Sequence, residues 1–214
     1  MNGHWLSLNF RKGYLRLFGR ESLSSFHYQS LIARRVQAFN IEVSTCLEFE
    51  PLNFQQMAGL ICYYNTGHWF YLNVSGGEFP SINRRAKDDA PQPTDSSVGT
   101  YTNPSKFLQI TSCDNFQMTD ILEEPIDITG IKRIYLKAHF NREKLQFYFA
   151  LKEKEWQKIG NILDGSILSD DYVQHGGLQY RAAFTGAFVG LCCQDLTGHK
   201  LHADFDWFDY KEIV

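Results

Sequence analysis

The chain has 214 residues, a net charge of −3, and hydrophobic and charged shares of 43% and 21%, which is the balance of a globular domain rather than a disordered or membrane-embedded one. Its basic residues are not gathered into a patch, since Arg34-Arg35 and Arg84-Arg85 stand as separate pairs, and this speaks against a nucleic-acid binder. No apolar run approaches the roughly 20 residues that cross a bilayer, and MNGHWLSLNFRKG lacks the apolar segment of a signal peptide, so a cytoplasmic location is expected.

The aromatic share is 15%, and these rings fall mostly in alternating runs, as in strands that fill a broad core. Gly13 to Gly19 reads as an entering strand. From Phe39 to Glu50, Phe39, Ile41, Val43, Thr45, Leu47 and Phe49 alternate with polar neighbours, the clearest period-two signal in the chain. Pro51 ends it. Met57 to Tyr64 and His68 to Ser75 then flank Asn65-Thr66-Gly67, a hairpin whose Asn and Gly tolerate a positive φ. In its second arm Phe70, Leu72 and Val74 share one face; Trp69, Tyr71 and Asn73 share the other. That second face reads as aromatic yet wettable, a place where a sugar ring could stack or a second domain could dock.

Gly76 to Ser105 holds Pro80, Pro91, Pro93 and Pro104 among charges and few aliphatics, and reads as a long surface excursion. Strand signals return at Phe107 to Ser112, Ile134 to Phe140 and Leu145 to Leu151. A single helical or irregular turn fits Ile167 to Val173. Phe184 to Asp195 is an apolar strand with small residues, and His202 to Tyr210 closes the chain with Phe205 and Trp207 facing inward. About ten short strands with almost no helical period predict an all-β fold, a two-sheet antiparallel sandwich of jelly-roll type forming one domain over residues 1–214. The five cysteines include no CxxC pair and read as buried free thiols.

Glu48/Glu50 and Asp204/Asp206 have the i, i+2 spacing that can set two carboxyls across a glycosidic bond, but the wet face of any strand looks the same. Asp209 falls on the opposite face from Asp204 and Asp206 unless a bulge intervenes. His199 and His202 read as solvated loop histidines. A structural calcium held by Asp206 and backbone oxygens is the metal site most consistent with hard-cation chemistry.

GYLRLFGRESL, QSLIARRVQAF, NFQQMAGLICYYNTGHW, LDGSILSDDY, FTGAFVGLCCQDLTG and ADFDWFDY, in this order, resemble the C-terminal domain of β-xylosidases of glycoside hydrolase family 43. The resemblance covers nearly the whole chain, the excursion being its least family-like part. It implies a concanavalin A-like β-sandwich that follows a five-bladed β-propeller, the propeller holding the carboxylates that hydrolyse xylo-oligosaccharides with inversion. None of that propeller is in this sequence, so the resemblance supplies no catalytic residue here and implies an isolated C-terminal domain or a truncated enzyme. It implies an accessory role in shaping the propeller's pocket, with no required cofactor, and it leaves room for a homo-oligomer. It also implies that Phe184 stands at the mouth of the active site, whereas pattern alone makes Phe184 the first core residue of its strand. The alternative is an independent carbohydrate-binding sandwich that uses Trp69 and Tyr71.

Overall fold

A computed structural model describes residues 4–77, 105–175 and 183–213. In chain order the strands are β1 (Leu6–Ser7), β2 (Leu15–Phe18), β3 (Ser30–Arg35), β4 (Asn40–Glu48), β5 (Gln56–Asn65), β6 (His68–Gly76) and β7 (Lys106–Asp114). There follow β8 (Gln117–Asp120), β9 (Ile126–Asp127), β10 (Arg133–Asn141), β11 (Lys144–Ala150) and β12 (Gln157–Asp164). A 3-10 turn (Gly165–Leu168) and a short helix, α1 (Asp170–His175), lead towards β13 (Phe188–Asp195) and β14 (His202–Glu212). The strands form two seven-stranded sheets. The first runs β1-β2-β14-β4-β10-β11-β12; the second runs β3-β13-β5-β6-β7-β8, with β9 beside β7. The expected antiparallel sandwich is therefore what the chain forms.

The core follows from the period of two. Ile41, Val43 and Leu47 of β4 and Leu136, Ala138 and Phe140 of β10 face Leu60 and Cys62 of β5 and Phe70, Leu72 and Val74 of β6. Burying each such Leu, Ile or Phe contributes about 1.5–3 kcal/mol. The excursion's feet are closed by the Gly77 amide, which donates to the Ser105 carbonyl at 2.8 Å; the stretch between them lies outside the described residues.

Three local expectations change. Trp207 does not face inward. Between Phe205↔Leu47 and Phe208↔Thr45, β14 advances three residues while β4 advances two, so a bulge reverses the alternation. Phe205 is in the core, Phe208 and Tyr210 pack against it, and the Trp207 carbonyl is tied by the Thr45 hydroxyl at 2.6 Å. The same bulge puts Asp209, opposite Ser44, on the face of Asp204, opposite Glu48. Second, the last apolar strand begins at Phe188, not Phe184. Third, Gly67 lies outside the left-handed region, and its lack of a side chain matters for space: a Cβ there would meet the Phe116 ring at 2.8 Å.

All five cysteines are free and buried, and burial pushes their thiols up, to about 11 for Cys46 and Cys113 and about 12 for Cys192. Since the thiolate is the reactive form, a thiol reagent at neutral pH should modify none of the five in the folded chain and all of them in urea; fast labelling of the folded chain would contradict this packing.

Candidate functional site at one end of the sandwich

The carboxylates with dyad spacing are engaged by arginines. Asp204 accepts two parallel hydrogen bonds from Arg16, Nε at 2.7 Å and Nη2 at 2.8 Å. Arg11 Nη1 bridges Asp204 at 3.1 Å and Glu48 at 2.7 Å, and Arg133 Nη2 reaches Glu48 at 2.8 Å. Glu48 and Asp204 thus face each other through a guanidinium, where a glycosidase pair needs room for substrate or water. Glu50 pairs with Lys106 at 2.9 Å. Asp206, put forward for calcium, meets Arg133 Nη1 at 3.6 Å, and among the described residues no group of three or more His, Cys, Asp or Glu is placed to hold a metal.

This network makes stability sensitive to acid. The hydrogen bond from Arg11, with that from Arg133, holds Glu48 below its ordinary value against the opposing effect of burial. For Asp204 burial pushes upward, but the bonds from Arg16 and Arg11 win and its pKa is also lowered. A carboxylate whose pKa is lower folded than unfolded stabilises above the unfolded value, and the contribution is lost as pH falls through the folded one. Urea midpoints should therefore hold steady down to about pH 5 and fall below about pH 4. Asp204→Asn, which leaves Arg16 half-buried without its partner, should cost about 3 kcal/mol at neutral pH and show a shallower acid dependence; an unchanged acid slope would contradict the assignment.

Trp69 and Tyr71 are 3% and 1% exposed, which corrects the expectation of a wettable face. They lie in a second cluster with Leu23, Ile61, Cys113 and Cys192 on the outer side of the second sheet. The Tyr71 hydroxyl donates to the Cys192 carbonyl at 3.0 Å, and the Trp69 indole to the Thr66 carbonyl at 3.3 Å. Both rings line a crevice of about 330 Å³ together with Leu23, but at this burial neither offers an open face for stacking.

Phe184 is 74% exposed, and its surroundings explain why. Ser169 starts α1 by accepting the Tyr172 amide on its hydroxyl at 3.1 Å, and Asp170 and Asp171 favour the first turn. Asp170 and Gln174, four residues apart, lie on one side of the helix. Asp170 Oδ1 accepts the Gly186 amide at 3.0 Å and the Tyr64 hydroxyl at 2.5 Å. Gln174 Nε2 donates to the Ala183 carbonyl at 2.7 Å. The helix therefore grips the backbone on both sides of Phe184. Gly186 takes φ +66° with no atom near its missing Cβ, a conformation that an L side chain would strain. The helix itself is moored to the β7–β8 turn by the Tyr172 hydroxyl, which donates to Asp114 at 2.8 Å; that bond, with burial, raises the Tyr172 pKa to about 12. Residues 176–182 lie outside the described residues.

Two further rings stand at this end. Phe39, just before β4, is 81% exposed, and Phe116 is 40% exposed. Phe116 sits at φ +65° after Asn115 at +48°. Such a conformation is costly for a bulky residue and is kept where the surroundings enforce it; here the Phe116 amide donates to the Gly67 carbonyl at 3.2 Å. Of this assembly only Phe184 is singled out by the sequence. The helix start at Ser169 with Asp170 and Asp171 was readable as a cap, but nothing local signals that Gln174 and Asp170 reach across to residues 183 and 186.

The fold and this end together define a concanavalin A-like β-sandwich that holds an apolar ring away from its own core. The chain belongs to the family described as beta xylosidase C-terminal concanavalin A-like domain, which matches residues 1–102 and 96–211. It is 38% identical to a beta-xylosidase of Bacillus subtilis (strain 168) over 96% of this chain and 33% of that protein. It is 34% identical to a xylan 1,3-beta-xylosidase of a Vibrio species over 97% of this chain and 33% of that protein. The crystal structure of xylan beta-1,4-xylosidase from Bacillus halodurans C-125 superposes with a TM-score of 0.80 at 41% identity, covering 97% of this chain and 34% of that one. The chain thus spans about a third of the length of the curated relatives it matches.

Proposed function

We propose that this domain works as the accessory part of a β-xylosidase acting on xylo-oligosaccharides, in which Phe184 closes one side of the pocket of a β-propeller catalytic domain. The observation that carries the proposal is the grip of Asp170 and Gln174 on the backbone either side of Phe184, which holds an exposed ring without packing it. An apolar ring at a pocket rim excludes water and shortens the cleft, favouring short substrates. The relatives named for 1,3- and 1,4-linked xylan are similar to this chain to like degrees. On this reading the domain therefore supplies the rim, and the propeller chooses the linkage.

The test compares this chain with a longer enzyme carrying it behind a propeller, both assayed on nitrophenyl xyloside and xylobiose. The longer enzyme should turn over, and this chain alone should not exceed a buffer blank. Turnover by this chain that Glu48→Gln or Asp206→Asn abolishes would overturn the proposal and make this chain a hydrolase in its own right.

A further inference from the structure

The geometry points to a carbohydrate-binding groove on the outer face of the first sheet, built around Trp156 and Trp207, that takes a neutral oligosaccharide of pyranose units. Two of the four tryptophans in the chain meet here, lining an open groove of about 480 Å³ that spans β14, β4 and β10. That volume falls within the range of small-ligand sites. Trp207 belongs to it only because of the β14 bulge; on an unbroken alternation it would lie on the core side with Phe205. Bulges that re-aim a side chain are features of sites more often than accidents.

Trp156, from the loop between β11 and β12, is fixed from below. Lys137 Nζ lies 4.4 Å from its ring centre and 3.5 Å from Glu42 Oε1, so the indole is held before any ligand arrives and little freedom remains to be lost on binding. Both indoles are half-buried, as befits rings that present part of their surface.

The charges decide the class of ligand. Glu42, Glu153 and Asp209 are balanced by Lys137, Lys154 and Lys211, so the groove has no net charge with which to attract phosphate, nucleic acid or a cation. A neutral polyol uses such a lining well, because carboxylates accept from hydroxyls, ammonium groups donate to them, and the indoles take the C–H face of a pyranose. The core of a stable protein interface is instead depleted of charged residues, so the groove is a poor fit for a second copy of this chain.

The test is titration of this chain with xylohexaose and with cellohexaose, read by tryptophan fluorescence and calorimetry. The use of xylohexaose rests on the function proposed above. Cellohexaose does not, and Phe184 takes no part, so failure here leaves that reading standing. Saturable binding of at least one oligosaccharide at millimolar concentration is expected, weakened at least about fivefold by Trp156→Ala or Trp207→Ala and unchanged by Phe184→Ala. Should either tryptophan variant fail to fold, the surface pair Asp209→Asn and Lys211→Met carries the same expectation of weaker binding. Absence of saturable binding to both sugars, or binding that none of these variants weakens, overturns the inference. So does a concentration-dependent dimer that Trp207→Ala abolishes in a chain that binds neither sugar.

Discussion

Replacing Phe184 by alanine in a longer enzyme that carries this domain behind a propeller should lower kcat/KM for xylobiose by roughly tenfold or more. The melting temperature of this domain should not move. The second half of that expectation follows from the structure: Phe184 is exposed, and its neighbours are held by hydrogen bonds between their backbone and the Gln174 and Asp170 side chains that do not involve its ring. The first half follows from the proposed role, since removing an apolar rim admits water to a pocket in which charge develops during bond cleavage. Gln174→Ala and Asp170→Asn should reproduce part of the loss, because each loosens one end of the grip while leaving the ring in place. Phe184→Leu, which keeps the apolar bulk, should recover much of it. An alanine variant that melts several degrees lower would mean that the ring is structural.

Trp69→Ala should behave in the opposite way, costing about 3–5 kcal/mol in urea unfolding, as expected for deletion of a core aromatic. Trp69 is enclosed by Leu23, Ile61 and Cys113 on the outer side of the second sheet, where its loss leaves a cavity between a sheet and the segment lying over it. A variant of unchanged stability would mean that this side is open and that the ring is available for another surface.

The contrast between these two residues shows what the sequence could and could not disclose. The alternation of Ile41 to Phe49, Ile134 to Phe140 and Leu145 to Phe149 reports directly which side of a strand is dry, in β4, β10 and β11, whereas Phe39 and Leu151, at the ends of the same runs, lie beyond the strands and are exposed. For β6 the same alternation misleads. Every residue from His68 to Gly76 is buried, because the outer face is covered by the segment around Leu23, about fifty positions earlier in the chain, and a period of two senses only the nearer side. Alternation alone puts Trp207 on the wrong face because a bulge adds one residue without any local signature in DFDWFD. The short strands β1, β8 and β9 give no sequence signal because two to four residues are too few for a period to register. At the candidate site the family resemblance pointed to Phe184, while the residues that hold it, Asp170, Gln174 and Gly186, are joined by contacts between segments nine to sixteen positions apart that pattern alone does not reveal.

The most direct test of the proposed role is to place a fluorinated phenylalanine at position 184 and record its fluorine NMR signal with and without xylobiose, in this chain and in the longer enzyme. The account predicts a signal near that of a solvated ring in this chain, indifferent to xylobiose, and a displaced signal in the longer enzyme that shifts again when the sugar binds. A signal in the longer enzyme that matches the isolated chain and ignores saturating xylobiose would contradict it.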